Sequence, residues 1–216
     1  MSLSPWDPDT YVSVNTFDQC ILAQSAWLDA LKEVVSNKNT AFAITRPPGH
    51  HALKGRSMGF CIFNFAVGMS WIVWFPFKGS LHDNLWCFAS GAAIAALGKY
   101  GVNRVGILDF DVHFGNGIAS LVSSNPSIRY TSLHQEGIFP YGQGRREDTG
   151  DHANILNIPI PSGTTWTTYE PYLSQQAIPF LKEFEPELVI VSAGYDALAS
   201  DEISQVCTKG LCDENK

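Results

Sequence analysis

Asp109, Asp111 and His113 stand two residues apart in Leu108-Asp109-Phe110-Asp111-Val112-His113-Phe114-Gly115-Asn116-Gly117. They follow the apolar run Val105-Gly106-Ile107-Leu108, which reads as a buried strand. Side chains two apart on a strand share a face. The three groups are therefore expected to point one way at the strand's C-terminal end, where open α/β sheets bind ligands. Two carboxylates and an imidazole make a poor core and a good site for zinc, which takes His nitrogen and Asp oxygen.

A third carboxylate, Asp196, follows the apolar run Leu188-Val189-Ile190-Val191-Ser192. Asp111, His113 and Asp196 together would supply three protein ligands and leave a fourth position open, the arrangement of a catalytic zinc. A pair of histidines, His50 and His51, sits behind Arg46-Pro47-Pro48-Gly49. Two prolines stiffen that loop, and neutral imidazole is the commonest general base near neutral pH. Asp109 and Asn116 are candidates to orient the bases. Gly59 would allow close approach of a ligand and Phe60 could wall a pocket, although for this segment taken alone core packing is the favoured reading. Phe139, in the loop Gly137 to Gly144, reads as a pocket wall or a loop anchor. The chemistry this set describes is metal-assisted hydrolysis of an amide or ester.

The elements that must carry these groups are legible in outline. Thr16-Phe17-Asp18-Gln19 fits a capping box, ahead of a helix from Phe17 to Val35 with Phe17, Ile21, Leu28, Leu31 and Val35 on one face. Ala41 to Thr45, Ile128 to Leu133, Leu156 to Ile160 and Leu188 to Ser192 read as strands. Helices are expected from Ala92 and from Thr167 to Phe184, the latter strained at Pro179. Strands alternating with helices predict an α/β fold with a mostly parallel sheet. The segment Phe65 to Gly91, with Trp71, Trp74 and Trp86, shows no clean period and resists placement.

Hydrophobic residues make up 45% of the 216-residue chain and charged ones 16%, which predicts a globular domain rather than disorder. The net charge of -7, with no Lys/Arg cluster, argues against direct nucleic-acid binding and is compatible with a cationic peptide or amine as substrate. Five cysteines without a CxxC pair suggest a reduced, intracellular protein, and Met1 to Thr10 does not read as a signal peptide. The longest apolar run is too short to span a membrane.

Taken together, RPPGHHA, GFCIFN, DFDVHFGNG, TSLH and VSAGYDA resemble the zinc-dependent histone deacetylase family, and more closely its class II and acetylpolyamine amidohydrolase branch. The resemblance runs from about Tyr11 to Asp201. It implies a three-layer α/β/α, arginase-like fold and removal of acetyl groups from lysine in histones or other proteins, or from acetylated polyamines. It implies His50 and His51 as the catalytic pair, zinc on Asp111, His113 and Asp196, and Gly59, Phe60 and Phe139 along the acyl-lysine tunnel. It further implies a structural potassium ion held by Asp109, Asp111, His113, Ser132 and Leu133. A nuclear or cytoplasmic setting with chromatin-associated partners goes with it.

Three departures accompany the resemblance. Phe114 stands where the family has a second histidine. Residues 65–91 look inserted into a single domain spanning 1–216. The family's Gly-rich loop with a catalytic tyrosine finds no match after Asp196, and neither Tyr141 in its loop nor Tyr195, expected to face the sheet, replaces it. Three readings stay open: a zinc hydrolase whose activity is weak or lost for want of that tyrosine, a non-catalytic protein that binds zinc and acyl-lysine, and an unstable fragment with no function.

Overall fold

The computed structural model describes residues 2–4, 7–68, 91–198 and 201. Most of the segment expected as an insertion therefore lies outside the described residues. The chain divides into two compact units, Met1–Val102 and Asn103–Lys216. Among the described residues no helix is long and apolar enough to cross a membrane.

In the first unit a two-stranded antiparallel ribbon, β1 (Ser2–Ser4) with β2 (Asp7–Val12), precedes the long helix α1 (Thr16–Asn37). The expected capping box does not form. The N-cap is Asn15, without a side-chain cap bond, and Thr16 Oγ1 instead accepts from the Ser13 amide at 2.8 Å. The buried stripe of α1 is Cys20, Ala23, Gln24 and Leu31, while Phe17 at the expected face is 47% exposed. The reason is the partner surface. Cys20 and Ala23 pack with Phe63 and Phe65, so small residues face the bulky ones and the larger side chains lie beside the seam. Phe65, Ala66 and Val67 are buried, and Ala92 and Ala93 donate amide hydrogens to the Phe65 and Ala66 carbonyls. These bonds tie in helix α2 (Ala92–Lys99). Ala41 to Thr45 is not a strand. No described strand pairs with it, and Phe42 and Ile44 are 84% and 96% exposed.

The second unit is a four-stranded parallel sheet in the order β5 (Ile155–Ile160), β4 (Ile128–Gln135), β3 (Val105–Asp109), β6 (Leu188–Ser192). Helices cover both faces. Tyr130 on β4 sends its hydroxyl to the Gly115 carbonyl at the start of α3 (Asn116–Val122). Its neighbour Arg129 points to the opposite face, donating to the Phe180 carbonyl of α5 (Ile178–Glu183) at 2.7 Å. Successive residues of a strand alternate faces, so these two contacts define three layers, α/β/α. Near-continuous apolar strands suit such cover, but β6 has it on one face only, against expectation: Leu188 and Ile190 are buried, while Val189 and Val191 on the other face are 51% and 45% exposed.

The helix expected from Thr167 to Phe184 is broken into α4 (Trp166–Tyr172), a π-helical turn (Leu173–Ala177) and α5. Pro179 has no amide hydrogen to give the preceding turn, and the Ile178 amide reaches back five residues to the Leu173 carbonyl. The core on this face joins Val112, Leu133, Ile158, Ile160, Tyr169 and Ala177.

Candidate metal centre and paired histidines

β3 ends at Asp109, so the strand period does not carry Asp111 and His113 to one face as expected. A tight bend does. Asp111 Oδ1 accepts from the His113 amide at 2.8 Å, folding the two residues onto one another. The same oxygen lies 3.0 Å from His113 Nδ1. Asp196 arrives from the end of β6. Its Oδ1 accepts from the Val112 amide at 3.0 Å, and its Oδ2 lies 2.9 Å from His113 Nδ1. One atom from each of Asp111, His113 and Asp196 falls within 4.8 Å of the others, and all three residues are partly buried. Zinc bonds of about 2.0–2.2 Å place ligand atoms roughly 3–4 Å apart. The donor set and its spacing therefore fit a divalent cation, with two carboxylates to balance its charge.

Asp109 is not one of the three residues of this group. It is fully buried, and it accepts from the Tyr130 hydroxyl at 3.1 Å and from the Asp111 amide at 3.3 Å. Asn116, buried, opens α3. Tyr130 could not be singled out from the sequence, since nothing local marks it as the donor to a carboxylate 21 residues earlier.

Burial works against a charged His113, but its hydrogen bonds to Asp111 and Asp196 and their negative charges overcome it and raise the imidazole to about 9. Below that pH a proton on Nδ1 bridges both carboxylates, where a cation would otherwise bind. The folded value lies above the ordinary 6.5, so this proton stabilises the metal-free protein fully below about pH 6.5. That contribution, at most about 3 kcal/mol, disappears as pH rises through 9. Metal binding has the opposite sign, because the proton must leave first. Zinc affinity is expected to rise about tenfold per pH unit between pH 6.5 and 8, with one proton released per ion. Competition against a chelator of known pH dependence measures that slope, and a flat line would remove His113 from the ligand set.

The loop after β4 carries Phe139. His134 is buried, and burial pushes its imidazole down to about 4, so it is neutral. Its Nε2–H donates to the Gly144 carbonyl at 3.0 Å, which leaves Nδ1 to accept from the Ser132 hydroxyl at 2.9 Å. Asn157 Nδ2 adds bonds to the Arg145 and Asp148 carbonyls, both 3.0 Å. Phe114 lies against the His134 ring at 4.9 Å, a packing role for the residue that departs from the family motif. Phe139 meets Tyr141 edge to face. Tyr195 does not face the sheet as expected. It is 67% exposed and rests edge-on against Phe110.

In the first unit His50 and His51 are both buried, their rings 4.0 Å apart. Gly59 and Phe60 form a turn with φ of 55° and 64°. Phe60 is thus a non-glycine residue in the left-handed region, which costs about 1–2 kcal/mol. Two residues from β2 hold it there. Asp7 Oδ2 accepts from the Gly59 amide at 2.7 Å and from the Thr10 hydroxyl, whose oxygen accepts from the Phe60 amide at 3.0 Å. Burial opposes charge on Asp7, yet these bonds keep its carboxyl below the usual range. Phe60 is 56% exposed, which excludes the core-packing alternative. The sequence carries no local signal of this clamp, because its partners are 50 and 52 residues apart.

Residues 1–69 and 86–212 match the histone deacetylase domain model, and the chain belongs to that family. It is 40% identical to an uncharacterized protein, slr0245, of Synechocystis, over 92% of this chain and 57% of the relative. It is 33% identical to the rice protein histone deacetylase 10, chloroplastic, over 90% of this chain and 41% of that one. Among solved structures, acetylpolyamine aminohydrolase from Burkholderia pseudomallei superimposes with a TM-score of 0.75 at 25% identity, over 93% of this chain and 52% of the other. The chain thus spans about half the length of the curated relatives it matches. The α/β/α architecture is that of the family.

Proposed function

We propose that this chain carries the zinc centre of an amide hydrolase that removes acetyl groups from amines, either lysine side chains or polyamines. The observation that carries the reading is the Asp111–His113–Asp196 cluster, with ligand atoms within 4.8 Å of each other. Asp111, His113 and Asp196 would hold the metal. When bound, zinc supplies a Lewis acid that polarises the amide carbonyl and makes water nucleophilic near neutral pH.

His50 and His51 take the proton that water loses as its oxygen bonds to the acyl carbon, and return one to nitrogen as the C–N bond breaks. Acetate and a protonated amine leave. By the family resemblance Asp109 and Asn116 would be the residues that orient the bases. By the same resemblance Gly59, Phe60 and Phe139 would line the path of the acylated chain, whose methylene stem an aromatic wall suits. A structural potassium ion near Asp109, Asp111, His113, Ser132 and Leu133 belongs to the same proposal. The Burkholderia relative is named for acetylated polyamines, and the net charge of -7 favours cationic amines of that kind.

The test is acetate release from N-acetylputrescine and from an acetyl-lysine peptide by the zinc-loaded protein. Release abolished by a chelator is expected. Absence of chelator-sensitive release from both, with binding retained, would replace the hydrolase by a non-catalytic acyl-amine binder.

A further inference from the structure

We propose that Gly194 is a positioning residue for the metal centre, and that its missing side chain is the space the Asp111 carboxylate occupies. This rests on Asp111 being a metal ligand. Gly194 lies two residues past the end of β6, and its φ is outside the left-handed region, so its backbone conformation does not call for glycine. Space does. A methyl carbon built on Gly194 would overlap Asp111 Oδ2 and Cγ and come within 2.7 Å of Asp111 Cβ.

The Asp111 carboxylate is thus wedged. One oxygen is held by the His113 amide and faces the His113 ring, and the other lies over Gly194. Asp111 has a single short side chain and cannot fold away as a lysine tip would. A Cβ at 194 must therefore either rotate the carboxylate off His113 or push apart the bend and the strand end that carries Asp196. Both routes alter the ligand spacing, and ligands work only when held within about 0.5 Å of a productive geometry.

The contrast is Gly106, on β3 of the same sheet. A methyl carbon there would meet its nearest neighbours, Pro186 Cβ and Cγ, at 3.4 Å, an ordinary contact. Gly106→Ala therefore controls for the general effect of replacing a glycine in this unit.

Zinc affinity is measured by chelator competition for the wild type, Gly194→Ala and Gly106→Ala. Gly194→Ala is expected to lose at least tenfold in affinity and to change the cobalt absorption spectrum of the substituted site. Gly106→Ala is expected to match the wild type. A second measurement needs no metal: urea unfolding of the wild type, Gly194→Ala, Asp111→Gly and the double variant, all metal-free. Gly194→Ala should destabilise the wild type clearly and the Asp111→Gly background little, since Asp111→Gly empties the contested space. Wild-type zinc affinity in Gly194→Ala would overturn the proposal, as would equal destabilisation in both backgrounds. A wild type that binds no zinc would instead strike the metal reading, while the unfolding cycle still judges the packing between residues 111 and 194.

Discussion

Asp111→Ala and Asp196→Asn are each expected to lower zinc affinity by at least about 100-fold, because even the outer partners of metal ligands are worth about 10–100-fold. The two variants remove different things. Asp111 Oδ1 holds both the amide and the ring of His113, so alanine takes away a charge and the group that shapes the bend. Asp196→Asn is subtler. Its side-chain carbonyl can still accept from the Val112 amide, which Asp196 Oδ1 binds at 3.0 Å. What it loses is the charge facing His113 Nδ1 at 2.9 Å. A large loss of zinc with little loss of fold is therefore the mark of a metal ligand. The competing account is an ion pair, with protonated His113 shared by two carboxylates for stability alone. On that account wild-type protein would take up no zinc, and both variants would be less stable below pH 9 without any change in metal content. Metal analysis after dialysis, beside thermal unfolding, separates the two. Wild-type zinc content in both variants would place any bound ion elsewhere.

How far the sequence could reach depended on the range of each interaction. The strands β3, β4, β5 and β6 were legible to within a few residues as short β-rich or apolar stretches bounded by turn formers, although the apolar run of β6 did not mean burial on both faces, since Val189 and Val191 are exposed. Asp111, His113 and Asp196 were legible as a set that converges, and they do lie together. The route that joins them was misread: a bend after Asp109, not strand alternation, turns His113 back onto Asp111. Periodicity also misjudged α1, whose buried stripe is set by the small residues that Phe63 and Phe65 require opposite them. The capping box failed because Thr16 was used one turn earlier, by the Ser13 amide. The Asp7–Thr10 hold on Gly59 and Phe60, and the Tyr130 bond to Asp109, join residues far apart in the chain. No local pattern encodes them.

His51→Ala is expected to lower the rate of acetate release from the zinc-loaded protein by about 10²–10⁴-fold, the usual worth of a general base, while leaving zinc affinity unchanged. The expectation rests on how much structure is spent on one short loop. A methyl carbon on Gly49 would come 2.9 Å from the Phe63 carbonyl and 3.0 Å from the Phe65 ring, so the backbone before His50 is packed tightly against the core. The Ala52 amide closes the turn on the Gly49 carbonyl at 3.1 Å. The His51 amide donates to Cys61 Sγ at 3.4 Å, and Asn64 Nδ2 donates to the Ala52 carbonyl at 3.2 Å. Cys61 is buried and not part of a disulfide, so this bond is a packing tie. Held this way, His50 and His51 present two imidazoles side by side, a pair that can take a proton on one ring and give one from the other. A pair of purely structural histidines would behave differently: His51→Ala would lower the unfolding temperature and change the rate only in proportion to folded protein. The rate per folded, zinc-loaded molecule therefore decides the matter, and an unchanged value would remove His51 from the chemistry.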